Sequence, residues 1–280
     1  MQLKRSVDVV VISDVHLGTY GCHAKELVHY LRGMHTRVLV LNGDIIDGWQ
    51  FSKNYWPIAH HEVLVEIMQM VTRGTKVYYL TGNHDEMLRK FSEFRISNFH
   101  LADKLILELD GQKAWIFHGD VFDFSVHTSK WLAKIAGKSY DYLILFNRFI
   151  NWTLERFGRE KISFSKKIKN GVKKAIQFVD DFEKTAADHA IEQGYQFVIC
   201  GHIHQPQIRE VVTDKGKVMY MNSGDWVENL TALEYTRGKW NLYHHHDNQI
   251  GNSPLPPRKL GQKSGQSESQ DSAYLSLITF

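Results

Sequence analysis

Apolar residues along this chain come in short runs that end abruptly on polar, mostly glycine-bearing turns. Val7 to Ile12 stops at Ser13-Asp14, Val38 to Leu41 at Asn42-Gly43-Asp44, and Val77 to Leu80 at Thr81-Gly82-Asn83. Further on, Trp115 to Phe117 stops at His118-Gly119-Asp120, and Phe197 to Cys200 at Gly201-His202. Continuous runs of this length fit strands buried on both faces. Between the early runs the spacing becomes helical. Leu27, Val28 and Leu31 line one stripe of Lys25 to Arg32, and His61 to Val71 gives a second helix. The order predicts β-α-β-α-β, an α/β layered domain. Lys217 to Met221, Leu233 to Tyr235 and Trp240 to Tyr243 predict antiparallel strands, with Arg237-Gly238 as a turn.

A different stretch separates His118 from Gly201. Phe124 to Gly194 is helical by periodicity and has no strand-like run, which predicts a helical cap inserted at about 124–194 into a domain spanning 1–247. From Lys130 to Lys174 it carries 12 Lys or Arg against three acids, interleaved with Trp131, Tyr140, Phe146 and Trp152. From about Asn248 the chain turns to Pro, Gly, Ser and Gln, and a disordered tail over 248–280 is expected.

Composition narrows the chemistry. With 43% apolar and 23% charged residues in 280, the chain is that of an ordinary globular protein, and no run approaches the roughly 20 apolar residues of a membrane helix. The start does not read as a signal peptide, because Asp8 and Asp14 bracket too short an apolar stretch. A cytoplasmic location is expected, with peripheral contact at the inner membrane through the cap. The net charge of +3 speaks against a general polyanion binder, so no nucleic-acid partner is expected. Two cysteines, Cys22 and Cys200, exclude a thiolate cage, whereas 16 histidines point to a metal held by imidazole and carboxylate.

The position of those histidines matters more than their number. Asp14-Val15-His16, Gly43-Asp44-Ile45-Ile46-Asp47, Gly82-Asn83-His84-Asp85, His118-Gly119-Asp120 and Gly201-His202-Ile203-His204 each lie just past a predicted strand. Ligands of open α/β sheets bind along that carboxyl edge. Any one of these turns alone reads as punctuation after a strand. All five in order would bring carboxylates, an amide and five imidazoles into one crevice, a donor set that suits Mn, Fe or Zn better than Mg or Ca.

This set of motifs resembles the calcineurin-like metallophosphoesterase superfamily over about Val7 to Tyr243. The resemblance implies two packed sheets flanked by helices and two divalent metal ions, with Mn first and Fe or Zn as alternatives. Carried onto this chain, one metal would be held by Asp14, His16, Asp44 and His204. The other would be held by Asp44, Asn83, His118 and His202, with Asp44 shared. A water between two such cations is acidified enough to attack phosphorus near neutral pH. His84 is not needed as a ligand. As an imidazolium it would steady phosphoryl oxygens or protonate the leaving group, with Asp85 holding its tautomer. Asp47 and Asp120 read as supports for the ligands.

Within the superfamily the chain is most similar to the UDP-2,3-diacylglucosamine pyrophosphatase group of lipid A biosynthesis. Ser13-Asp14-Val15-His16-Leu17-Gly18, the size of the cap, and Ser223-Gly224-Asp225-Trp226 carry that likeness. It implies an anionic, nucleotide-linked lipid as substrate. The group carries Arg where this chain has His84, a departure that bears on the substrate and leaves the reaction class intact. Soluble nucleotides and other phosphoesters are therefore the alternative substrates, and a non-catalytic scaffold of the same fold is the alternative outside enzymes. In the cap, Lys166, Lys169, Lys173 and Lys174 are expected to meet an anionic substrate, against the plainer reading of a solvated face. Cys200 reads as a small buried hydrophobe, and His244, His245 and His246 as a solvated strand end.

Overall fold

The first strand shows how one apolar run serves two cores. In β1 (Arg5–Ile12), Val9 and Val11 face the layer between two sheets, while Val10 and Ile12 face the helices outside. That division follows from the two-residue period of a strand. The computed structural model describes residues 4–49, 55–125, 165–245, 249–251 and 255–259.

In chain order β1 is followed by α1 (Ala24–Arg32), β2 (Met34–Asn42), α2 (Ile58–Thr72), β3 (Lys76–Leu80), β4 (Arg95–Ile96), β5 (Phe99–Ala102), β6 (Lys104–Leu109) and β7 (Gln112–Phe117). Then come α3 (Ser165–Glu192), β8 (Phe197–Cys200), β9 (Gln207–Thr213), β10 (Gly216–Asn222), β11 (Thr231–Thr236), β12 (Lys239–His244), β13 (Gln249–Gly251) and β14 (Leu255–Lys259). One sheet runs β13-β12-β11-β1-β2-β3-β5-β4 and the other β14-β9-β10-β8-β7-β6. β1, β2, β3 and β5 are parallel in the first, as are β7, β8 and β10 in the second.

The architecture is a two-sheet α/β sandwich flanked by helices. Val40, Leu80, Ile116, Ile199, Met221 and Leu233 fill the space between the sheets. Leu27, Val28 and Leu31 of α1, the stripe read from the sequence, seal the outer face of the first sheet with Val63, Ile67 and Met70 of α2. Each such side chain contributes about 1.5–3 kcal/mol by leaving water. On the far side, Phe182, Ala186, Ala187 and Ala190 of α3 cover Trp115, Val198 and Tyr220, small residues letting the helix lie close.

The expected strands and both early helices form. The sequence pattern predicts no strands at β4, β5, β6 or β9. In β6, at a sheet edge, exposure alternates along the strand, with Leu105, Leu107 and Leu109 only half-buried and Ile106 exposed. The chain beyond 248 also departs from expectation, because β13 pairs with β12 and β14 with β9. Prolines are tolerated in β14 because it is an edge strand. Residues 260–280 lie outside the described residues. So do residues 126–164 of the expected cap, whose described part is a 3-10 turn (Asp120–Ser125) and α3. Lys166, Lys169, Lys173 and Lys174 fall on α3, with their side chains outside the described ones.

Candidate metal centre

Five strands, β1, β2, β3, β7 and β8, end at one place, and their turns are sewn together by the main chain. Val15 and His16 both donate their N–H to the Asp44 carbonyl, at 3.0 and 2.9 Å. The Gly201 N–H donates to the His118 carbonyl at 2.9 Å, and Asn42 Nδ2 reaches the Phe117 carbonyl at 3.1 Å across the sheets. Asp14, His16, Asp44, His202 and His204 all take positive φ, between 52° and 67°. Left-handed backbone in a residue other than glycine costs roughly 1–3 kcal/mol and persists where the surroundings enforce it. Two glycines let side chains come closer than any Cβ would allow. A Cβ on Gly43 would stand 2.4 Å from the His118 ring, and one on Gly82 would stand 2.2 Å from Asp44 Oδ1.

The side chains converge as the sequence reading expects. Asp14, His16 and His204 place three donor atoms within 4.8 Å of one another, and so do Asp44, His118 and His202. A third such group joins His16, Asp44 and His84, so Asp44 belongs to two groups. Asn83 Oδ1 and His16 Nε2 are buried without a hydrogen-bond partner, which suits atoms that donate to a cation. His16 Nδ1 lies 3.2 Å from Asp47 Oδ2, and His118 Nδ1 is 2.9 Å from the Asn42 carbonyl. Those outer contacts fix each tautomer and leave Nε2 for the centre.

Charge density at this crevice is high. Burial by itself would lower His118, but attraction to Asp44 and the hydrogen bond its ring donates to that carboxylate outweigh it and push it up to about 10. Against the same burial, Asp14 pushes His204 up to about 9. Burial would raise Asp14 and Asp44, yet the histidines around them hold both below the usual carboxylate range. Asp14 is fully buried, with Oδ2 accepting from the His202 N–H at 3.0 Å and Oδ1 3.1 Å from His204 Nε2. Such a nest of buried acids and imidazoles is suited to divalent cations, which would replace the protons.

His84 stands beside this set, with Nε2 4.0 Å from Asp44 Oδ2. Its orienting carboxylate is not the expected one. Asp47 Oδ2 lies 3.0 Å from His84 Nδ1. Asp85 instead accepts from the Gly82 N–H at 2.6 Å, Tyr79 Oη at 2.7 Å and the Ile45 N–H at 3.0 Å. The chain enters a 3-10 turn directly after Asp85, turning that carboxylate back under its own loop. Asp85 therefore braces the second and third turns and does not hold the His84 tautomer.

A family model described as calcineurin-like phosphoesterase matches residues 7–206, most of the chain and all five turns. The chain belongs to this family. As a member it is a phosphoester hydrolase of a fold that implies divalent metals. Among similar curated proteins, the UDP-2,3-diacylglucosamine hydrolase of Aliivibrio fischeri (strain MJ11) is 25% identical over 84% of this chain and 97% of its own. The protein of that name from Shewanella loihica is 25% identical over 82% and 93%. Among solved structures, the Escherichia coli phosphoesterase Yfce aligns at a TM-score of 0.43 and 16% identity, over 86% of this chain and 95% of its own. A dimetal phosphatase from Danio rerio aligns at 0.41 and 12%, over 88% and 96%. At that level of likeness neither bears on chemistry.

The phosphoesterase also uses residues that sequence reasoning gave no role. Asp225 accepts from the N–H groups of Val227 and Glu228 at 2.8 and 2.5 Å, and its Oδ2 lies 3.9 Å from His204 Nδ1. Ser223 Oγ meets Ser13 Oγ at 2.7 Å, and the Trp226 N–H donates to the Asp14 carbonyl at 3.1 Å. The Ser-Gly-Asp-Trp segment, visible in the sequence only as a shared feature, thus supports the first and last turns. Arg89 pairs with Asp120 at 2.5 Å and with Thr81 Oγ1 at 3.2 Å, linking the third turn to the fourth. Among the described residues no helix is long and apolar enough to cross a membrane.

Proposed function

We propose that this phosphoesterase binds two divalent metals, Mn first and Fe or Zn as alternatives, and hydrolyses the pyrophosphate bond of a nucleotide-linked lipid. The observation that carries the dinuclear reading is that two donor groups with no member in common, Asp14 with His16 and His204, and Asp44 with His118 and His202, lie in one crevice, with Asp44 also grouped with His16 of the first. Asp14, His16, Asp44 and His204 would hold one ion, and Asp44, Asn83, His118 and His202 the other. Bound there, the metals supply an acidified water and neutralise charge at phosphorus.

The chain's own residues do the rest. Asp47, with one oxygen near both His16 Nδ1 and His84 Nδ1, orients a ligand and a proton carrier together. Burial lowers His84, but the contact with Asp47 and the charges of Asp44, Asp47 and Asp14 prevail and raise it. A protonated His84 presents Nε2 to the crevice, where it donates to a phosphoryl oxygen or to the leaving group.

For the substrate, support comes from the relatives named UDP-2,3-diacylglucosamine hydrolase, which this chain matches along nearly their whole length. A cytoplasmic location, with peripheral contact at the inner membrane through the cap and its lysines, belongs to the same reading. Because His84 stands where that group carries Arg, a phosphodiesterase or phosphatase acting on soluble nucleotides is the second reading. A panel separates them. Chelated protein is reloaded with Mn, Fe or Zn, metal per chain is counted, and UDP-diacylglucosamine is compared with unacylated UDP-sugars and aryl phosphodiesters. Two metals per chain and preference for the acylated compound are expected; turnover of only the unacylated compounds would sink the lipid reading.

A further inference from the structure

We infer that Trp49 is a positioning residue for His84, clamping its ring at the edge of the crevice; the inference rests on the catalytic role proposed for His84. Three consecutive residues grip this one histidine. Asp47 lies against Nδ1 at 3.0 Å. The Gly48 N–H donates to the His84 carbonyl at 2.9 Å. The Trp49 indole lies over the ring face, with centroids 4.2 Å apart and planes inclined by 33°.

The three contacts are registered to one another. Asp47 Oδ1 accepts from the Trp49 N–H at 3.0 Å, so the carboxylate that meets the imidazole also sets the main chain from which the indole projects. Gly48 has to be glycine for this approach, since a Cβ there would stand 2.7 Å from the His84 carbonyl oxygen. His16 also meets the His84 ring, edge-on at 4.7 Å and 89°.

The approach of Asp47 to Nδ1 is close but is not an aligned hydrogen bond, and it leaves the ring able to tilt. A face contact removes that freedom. The freedom matters here because, in the position observed, His84 presents a ring nitrogen beside His16 and Asp44 at the centre of the crevice. A ring that tilted out of that position would no longer aim its Nε2 at a bound phosphoryl group. Trp49 is 47% exposed and belongs to none of the three apolar cores among the described residues, so its removal is expected to leave the fold standing.

The test uses the full chain loaded with Mn, with bis(4-nitrophenyl) phosphate as a small substrate. Trp49→Ala is expected to lower kcat about tenfold or more with little change in KM or in metal per chain. Trp49→Phe restores most of the rate. In a His84→Ala background Trp49→Ala has no further effect, as coupled residues require. Independently of activity, carbethoxylation of His84 by diethyl pyrocarbonate, read by peptide mass spectrometry, becomes severalfold faster in Trp49→Ala. An equal loss of kcat with and without His84, a change confined to KM, loss of metal from both Trp49 variants, or unchanged carbethoxylation would each overturn the inference. Full kcat in His84→Ala alone would instead remove the reading beneath it.

Discussion

Gly82→Ala is the sharpest test of how the centre is built. Gly82 does not have the positive φ that favours glycine, so alanine there brings no backbone strain and the effect is steric. The added Cβ would meet Asp44 Oδ1 at 2.2 Å and the Asp44 main-chain N at 2.7 Å, where ordinary contact begins at 3.4 Å. The carboxylate would have to retreat by about 1 Å, a displacement that costs about a hundredfold in rate when it falls on a reacting geometry. It cannot retreat freely, because the same Oδ1 accepts from the His84 N–H at 2.8 Å while Oδ2 lies 3.2 Å from His118 Nε2. Overpacking of this kind costs about 1–3 kcal/mol of stability, which a domain of this size survives. The assay is kcat/KM on an aryl phosphodiester, with metal per chain counted and the melt followed by circular dichroism. Gly33→Ala, whose Cβ meets nothing closer than 3.4 Å, is the silent control. We expect Gly82→Ala to fold, lose metal and fall about a hundredfold in kcat/KM. Full metal content with a rate within threefold of wild type would refute the close-approach argument.

Asp47→Asn should act on two histidines at once, lowering metal affinity through His16 and kcat through His84, each by about 10- to 100-fold; an effect on kcat alone would show that His16 does not depend on Asp47. Ile116→Ala, fully buried between the sheets, should cost about 2–5 kcal/mol and lower the urea midpoint without changing the slope; a midpoint unchanged from wild type would count against the two-sheet core. Burial, with Glu26 adding to it, pushes the Cys22 thiol up to about 12, and burial raises Cys200 as well. A raised thiol pKa keeps the sulfur protonated at pH 8, so neither cysteine should alkylate readily with iodoacetamide until the chain is unfolded. Rapid labelling of Cys22 in the folded protein would contradict that.

Much of this architecture is legible in the sequence because strand ends and metal donors coincide. A run such as Val38 to Leu41 followed by Asn42-Gly43-Asp44 gives the strand, the turn and the ligand together. What is not legible is direction. Asp85, next to His84 in the chain, is the natural choice as its partner, yet the 3-10 turn after it carries the carboxylate away and Asp47, from another strand end, takes its place. The close approaches at Gly43 and Gly82 are equally hidden, since a glycine required for space looks the same as one that ends a strand. Asp225 is found only once β10 and β11 are folded beside β1 and β8. In β14, Pro256 and Pro257 make an edge strand read as a tail.

The left-handed residues at the strand ends have a consequence for laboratory evolution. Selection for heat resistance alone rewards relief of strained backbone, and five of the seven proposed ligands sit in such backbone. Replacing any of them by glycine would relax roughly 1–3 kcal/mol of strain while removing a metal donor. A library screened only for survival at high temperature would therefore drift toward robust proteins that hydrolyse nothing, unless turnover were part of the screen.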